Sequence, residues 1–180
     1  MSDAIEQIVH THIIRGRRAR GGTMTAQNVP ADTVSLHEVD QPHDLPEGLS
    51  VDDVAEFFHD KMKPYHDTIE DVRSGLDYAF SDAEGKGGFL IIARQGVTMV
   101  GGITILNTGM AGYIPEHVLL FVAVDPALRG RGIGERLIRA ALQRVDGALK
   151  LHVEHDNPAR RLYERVGFTS KYLEMRRDSS

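Results

Sequence analysis

Three adjacent local signals between residues 118 and 142 constrain this chain more than anything else in it. Val118-Leu119-Leu120-Phe121-Val122-Ala123-Val124 is an unbroken apolar run, stopped by Asp125-Pro126. It reads as a strand buried on both faces. Arg129-Gly130-Arg131-Gly132-Ile133-Gly134 follows, and Leu137-Ile138-Arg139-Ala140-Ala141-Leu142 then resumes with helix-forming residues. A strand therefore ends, a glycine-rich turn follows and a helix begins. Glycines in such a turn let the backbone approach a ligand and aim N–H groups at it. The helix N-terminus adds partial positive charge. The two arginines add full charge and forks of donors suited to phosphate. In chemical terms this is a cradle for a pyrophosphate, and the plain alternative is a glycine-rich turn with solvated arginines. It is not a P-loop, because Gly134 is followed by Glu135-Arg136 rather than Lys-Ser/Thr. It is not a dinucleotide fingerprint either, because the spacing is G-x-G-x-G rather than G-x-G-x-x-G.

A second informative segment lies near the C-terminal end. Leu149-Lys150-Leu151-His152-Val153-Glu154 alternates apolar and polar, as a half-buried strand does. Asn157-Pro158 then predicts a helix start, with Asn157 as N-cap and Pro158 in the first position. Ala159, Leu162 and Val166 form its apolar face and Gly167 ends it.

Together these two segments resemble the GNAT superfamily of N-acetyltransferases. The first resembles that superfamily's coenzyme A signature, R-x-x-G-x-G/A after a strand. The second, Asn157 followed by Ala159, Leu162-Tyr163 and Gly167-Phe168, is similar to its second block. The resemblance spans roughly residues 33 to 177. It implies an α/β fold with a mixed central sheet flanked by about four helices. It also implies acetyl-CoA as co-substrate, and transfer of its acetyl group by direct attack of a primary amine on a small molecule or peptide. Dimers are frequent in the family, which leaves a homodimer open to this chain.

Site residues follow from the same resemblance. The turn residues Arg129, Gly130, Arg131, Gly132, Ile133 and Gly134 are expected to hold the pyrophosphate. The strand residues Val122, Ala123 and Val124 are expected to hold the pantetheine arm and to supply an oxyanion N–H. Only a splayed strand leaves such groups free, because a regular ladder uses them. Asn157 matches a cofactor-contacting position, and capping explains it equally well. Tyr163 matches the tyrosine at the thiol. A phenol with a reference pKa of about 10 is protonated at neutral pH and can donate to a departing thiolate. On helix pattern alone Tyr163 reads as packing. Glu116 and His117, at the start of the apolar strand, are the candidate general bases. Glu116 shares strand parity with Val118, Val122 and Val124 if no bulge intervenes. His117 has the better unperturbed pKa, about 6.5. The alternative function is a coenzyme A-binding sensor or scaffold of the same fold that turns nothing over; an intact Tyr163 favours the enzyme.

Elsewhere the chain predicts a strand over Thr33–Val39 and a helix capped by Ser50 with Asp53 in capping-box spacing. A second helix is expected from about Ile69 to Ala83, then a hairpin around Gln95-Gly96 and a long loop from Asn107 to Pro115. A closing strand is expected over Ser170–Met175. Residues 1–28 read as a flexible arginine-rich leader and 29–180 as one domain. An arginine-rich nucleic-acid arm would need aromatic residues or a basic fold behind it. The leader lacks aromatics and the chain carries a net charge of −5, so no nucleic-acid partner is expected. No apolar run is long enough for a membrane span. The 180 residues contain no cysteine, which removes disulfides and zinc-thiolate sites and fits a cytoplasmic location. The histidines form no ligand set, so no metal is expected.

Overall fold

The structure, a computed structural model, describes residues 33–65, 67–173, 175 and 177, so the arginine-rich leader lies outside the described residues. The elements are β1 (Val34–Val39), α1 (Val51–Lys61), α2 (Ile69–Ala79), β2 (Gly88–Gln95), β3 (Thr98–Asn107), β4 (His117–Val124), α3 (Ile133–Arg144), β5 (Leu149–Leu151) and α4 (Arg160–Arg165). The strands lie in sequence order, β1-β2-β3-β4-β5. The first four run antiparallel, and β4 and β5 pair in parallel through α3. This is the expected mixed sheet with helices on both faces.

Local sequence explains most boundaries. Ser50 accepts the Asp53 N–H, and the Asp53 carboxylate accepts the Ser50 N–H at 2.8 Å, closing the capping box that starts α1. Thr68 caps α2 in the same way through the Asp71 N–H. The helix α2 stops earlier than its apolar period suggests. Beyond the Phe80 cap, the Tyr78 carbonyl accepts the N–H groups of Ser81 and Gly87 and folds the chain back toward β2.

The sheet separates two cores. On one face α3 buries Ile133, Leu137, Ile138 and Ala141 against Ile91, Ile103, Ile105 and Leu119. On the other, α1 and α2 bury Val54, Phe58, Val72 and Leu76 against Leu90, Ile92, Phe121 and Ala123. Thus Leu119 faces α3 while Phe121 faces the α1–α2 layer. In a regular strand these two residues would share a face. The register explains the reversal, because Phe121 pairs with Thr104 and Leu119 with Ile105, leaving Leu120 as the extra residue of a β-bulge. The bulge breaks the strand parity expected between Glu116 and Val122. It also turns Leu120 and Phe121 toward α2, where a Cβ on Gly75 would lie 2.6 Å from Leu120 and 2.7 Å from the Phe121 ring.

Among the described residues the expected closing strand over Ser170–Met175 does not form: residues 170–173 and 175 join no ladder. A segment makes a strand only where a sheet edge accepts it. Here the Tyr172 ring packs on Tyr113 instead, with centroids 6.1 Å apart.

The contact of Gly75 with the bulge is testable. Gly75→Val should destabilise the protein by about 1–3 kcal/mol through overpacking, read as a lower urea midpoint at unchanged slope. An unchanged midpoint would show that α2 does not seat on the bulge.

Candidate functional site

The bulge marks where β4 and β5 part. β5 pairs with His117, Val118 and Leu119 only. From Leu120 to Val124, β4 has no partner on that side among the described residues. The Asp125 N–H donates to the Val100 carbonyl at 2.9 Å, so at Asp125 the backbone faces β3. Backbone direction alternates along an antiparallel pair. Ala123 and Phe121 therefore bond to β3, whereas Val122 and Val124 turn their N–H and C=O groups toward the gap. The Val124 carbonyl bears this out, since it accepts from Arg129 Nε at 3.2 Å on that side. Of the strand residues singled out from the sequence, Val122 and Val124 present backbone to the gap. Ala123 does not; its side chain packs in the α1–α2 core.

The turn into α3 closes one end of this gap. Gly130 and Gly132 both sit at positive φ, 77° and 79°. Gly132 is the N-cap of α3 in a left-handed conformation that costs other residues about 1–2 kcal/mol. The first helical bond is from the Arg136 N–H to the Gly132 carbonyl. The N–H groups of Ile133, Gly134 and Glu135 therefore precede the helical ladder and point out of the helix end. Gly134 packs close: a Cβ there would meet Leu162 at 3.2 Å and Val124 at 3.7 Å. The Ile133 side chain is buried in the α3 core, so only its backbone is on offer. Arg131 is exposed. Arg129 is engaged, with Nη2 donating to the Lys61 carbonyl at 2.7 Å.

Tyr163 reaches the same region from α4. It is 7% exposed and belongs to the α3-side core with Leu119 and Ile133, against which Val122 and Val124 pack. Its ring meets Phe168 edge-on at 6.0 Å. Burial pushes its pKa up to about 12. The phenol is therefore fully protonated at any physiological pH. Asn157 does not cap α4, which begins at Arg160 with Ala159 as its cap residue. Instead the Asn157 side chain accepts the Ala159 N–H at 2.9 Å, making the turn that precedes the helix.

Glu116 and His117 stand at the other end of β4, and both are tied to neighbouring loops. Glu116 Oε2 accepts the Ala148 N–H at 2.8 Å and Oε1 accepts the Gly112 N–H at 3.4 Å. These backbone donors, Ala148 first, hold its carboxyl below the usual range. His117 Nδ1 lies 3.1 Å from Asn107 Oδ1, and Nε2 lies 2.9 Å from the Asp146 carbonyl oxygen. The pair fastens the 107–115 loop and the approach to β5 onto β4. Thr108 closes the base of that loop, its hydroxyl donating to Pro115 O at 2.8 Å. Tyr113 at the loop's surface is 78% exposed.

Two residues that sequence reading did not single out also frame the gap. Lys61 Nζ is 3.0 Å from Asp125 Oδ2, and the Tyr65 hydroxyl donates to the Asp156 carbonyl at 3.4 Å. Both contacts join the end of α1 to distant segments, and no local pattern announces them. No group of three or more His, Asp or Glu able to hold a metal occurs among the described residues.

Comparison with known proteins agrees with this fold. The model of the acetyltransferase (GNAT) family matches residues 51–168. A mycothiol acetyltransferase of Brachybacterium faecium is 29% identical over 160 residues, covering 84% of this chain and 46% of that protein. The N-alpha-acetyltransferase RimI of Mycobacterium tuberculosis is 42% identical over 78 residues, covering 42% of this chain and 49% of that protein. The chain thus spans about half the length of the curated relatives it matches. Among solved structures, the aminoglycoside N-acetyltransferase AAC(6')-Iy in complex with CoA superposes with a TM-score of 0.61 at 11% identity, over 82% of this chain and 96% of that one. That likeness speaks for the fold alone. With the family model matched over most of its length, the chain belongs to the acetyltransferase (GNAT) family, a family of acyltransferases.

Proposed function

We propose that this chain is an acetyl-CoA-dependent N-acetyltransferase acting on a primary amine of a small molecule or peptide. The observation that carries the reading is the open edge of β4, where Val122 and Val124 turn backbone N–H groups into a gap that ends at the N-terminus of α3. An acyl-CoA fits these residues by chemistry. Its pyrophosphate suits the backbone donors of residues 132–135, with Arg131 as a free cation beside them. Its amide-bearing arm suits the edge of β4, where it would replace the missing strand. The name of one relative supports an acetylated amine: it is an N-alpha-acetyltransferase.

The thioester supplies an activated carbonyl. The amine nitrogen attacks that carbon, the oxyanion forms beside a β4 N–H, the nitrogen gives its surplus proton to solvent, and the C–S bond breaks as the amide is made and the thiolate departs. Tyr163 is the proposed donor to that thiolate. A phenol with a pKa of about 12 is a weaker acid than a thiol near 8.5, so full proton transfer from it runs uphill. Its contribution is then a hydrogen bond to the developing charge, with solvent completing the protonation. The Glu116 carboxylate oxygens and both His117 ring nitrogens are occupied by loop contacts, so in this reading the two residues shape the acceptor side and the amine enters as its free base.

Three outcomes test this reading. Gly132→Val places a β-branched residue at a φ of 79° and should abolish coenzyme A binding in calorimetry. Wild-type affinity in that variant would remove the cradle. Tyr163→Phe should lower turnover by about 10–100-fold, the worth of a hydrogen bond to a charged group, with little change in the acetyl-CoA KM. Unchanged turnover with chemistry rate-limiting would remove Tyr163 from the mechanism and leave the thiolate to be protonated by solvent.

The third outcome follows from burial. A folded-state pKa raised from 10.0 to about 12 means that the folded protein holds this proton more tightly than the unfolded chain. The stability it contributes is intact below pH 10 and is lost as pH rises toward 12. Wild-type protein should lose up to about 2–3 kcal/mol more than Tyr163→Phe across that window, measured by urea unfolding. Parallel losses in the two proteins would show that the phenol is not buried.

A further inference from the structure

In the sequence, Arg129 reads as a phosphate ligand, and its side chain is otherwise employed. Its guanidinium spans two carbonyls: Nε donates to Val124 O at 3.2 Å and Nη2 to Lys61 O at 2.7 Å. Val124 O is the last carbonyl on the open edge of β4, and Lys61 O belongs to the last turn of α1, where carbonyls have no partner inside the helix. The reverse link is also made. Lys61 Nζ meets Asp125 Oδ2 at 3.0 Å, and Asp125 Oδ1 accepts the Ala127 N–H at 2.9 Å. Lys61 and Arg129 thus reach past each other between the same two segments. The Ala127 N–H, and after it Lys61, hold the Asp125 carboxyl below the usual carboxylate range, so it is ionised throughout the physiological range.

The chain leaving Lys61 crosses the gap. Four residues later the Tyr65 hydroxyl donates to Asp156 O, on the segment between β5 and α4. Residues 62–65 are consequently tied on one side to the end of β4 and on the other to the segment beyond β5. They lie as a strap over the opening where the two strands part.

We propose that Arg129 is a positioning residue: its guanidinium fastens the C-terminal end of α1 to the open edge of β4 and so holds the 62–65 strap across the gap, while the backbone of the following turn, not this side chain, meets the pyrophosphate. The proposal rests on the acetyltransferase reading only for its kinetic consequence. The strap forms a wall of the opening through which an amine must approach, so loosening it penalises the amine more than acetyl-CoA. Charge alone does not do this work. A lysine has three donors on one nitrogen at the end of a flexible stem, and lacks the planar fork whose separate nitrogens reach the two carbonyls in a fixed geometry.

The test uses the full chain with Arg129→Ala and Arg129→Lys, and three readouts: amide hydrogen exchange over residues 62–65, calorimetric affinity for coenzyme A, and separate KM values for amine and acetyl-CoA. Both variants should speed exchange in the strap by about tenfold or more, as expected when a local tether is cut. Both should raise the amine KM about tenfold while the coenzyme A Kd stays within about threefold of wild type. The proposal is overturned if exchange in the strap is unchanged. It is equally overturned if Arg129→Ala weakens coenzyme A more than about tenfold and Arg129→Lys restores it, the pattern of a phosphate ligand. Arg129→Lys decides alone if the alanine variant does not fold. Should the wild type bind coenzyme A but acetylate no amine, the acetyltransferase reading fails, while exchange and calorimetry still decide the role of Arg129.

Discussion

The site depends on the β-bulge at Leu120, which decides where the backbone hydrogen bonds of β4 go. Up to Leu119 the strand is bonded on both sides, to β3 and to β5. After the bulge β4 continues along β3 and loses β5, so polar groups in the middle of a sheet are left facing a gap. Unpaired backbone groups in such a place are costly unless something completes them. An extended ligand with amide groups of its own is chemically the natural complement, because it can replace the absent strand. The bulge also exchanges faces: it sends Leu119 to the α3 core and Phe121 to the α1–α2 core. One extra residue thus both opens the sheet and keeps each side of it buried.

Around that opening, the remaining parts divide the labour. The left-handed glycine at 132 starts α3 without a side chain in the way, leaving donors free at the end of the gap. Tyr163, a largely buried side chain, brings from α4 a hydroxyl that is protonated throughout the physiological range. Glu116, His117 and Thr108 brace the opposite end by bonding loop backbone. Arg129 and Tyr65 stretch the end of α1 over the top. The donors that would meet a phosphate are backbone groups fixed by turn geometry; of the two arginines beside them, Arg129 holds segments together and Arg131 is exposed.

Much of this was legible in the sequence, because it rests on local chemistry. The apolar run, the glycine spacing and the Ser50–Asp53 box are each short-range signals that the structure realises in place. What was not legible rests on long-range geometry. A bulge leaves no mark in the pattern Leu119-Leu120-Phe121, where every residue is apolar. The pairing of Arg129 with Lys61 joins residues 68 positions apart. Ser170–Met175 reads as a closing strand in the sequence, yet a segment's own residues supply no edge to pair with. Glu116 and His117 have the right chemistry for bases, and only the placement of Ala148, Gly112, Asn107 and the Asp146 carbonyl shows what they bind.

The central claim is that the open edge of β4 and the start of α3 receive one extended ligand. It is tested most directly by following backbone amide resonances of isotopically labelled protein during titration with coenzyme A. The account predicts that the amides of Val122, Val124 and residues 132–135 shift and gain exchange protection together, while those of Phe121 and Ala123, already bonded to β3, gain little protection. Protection that appears on Phe121 and Ala123 instead, or a response confined to residues outside β4 and the α3 turn, would contradict it.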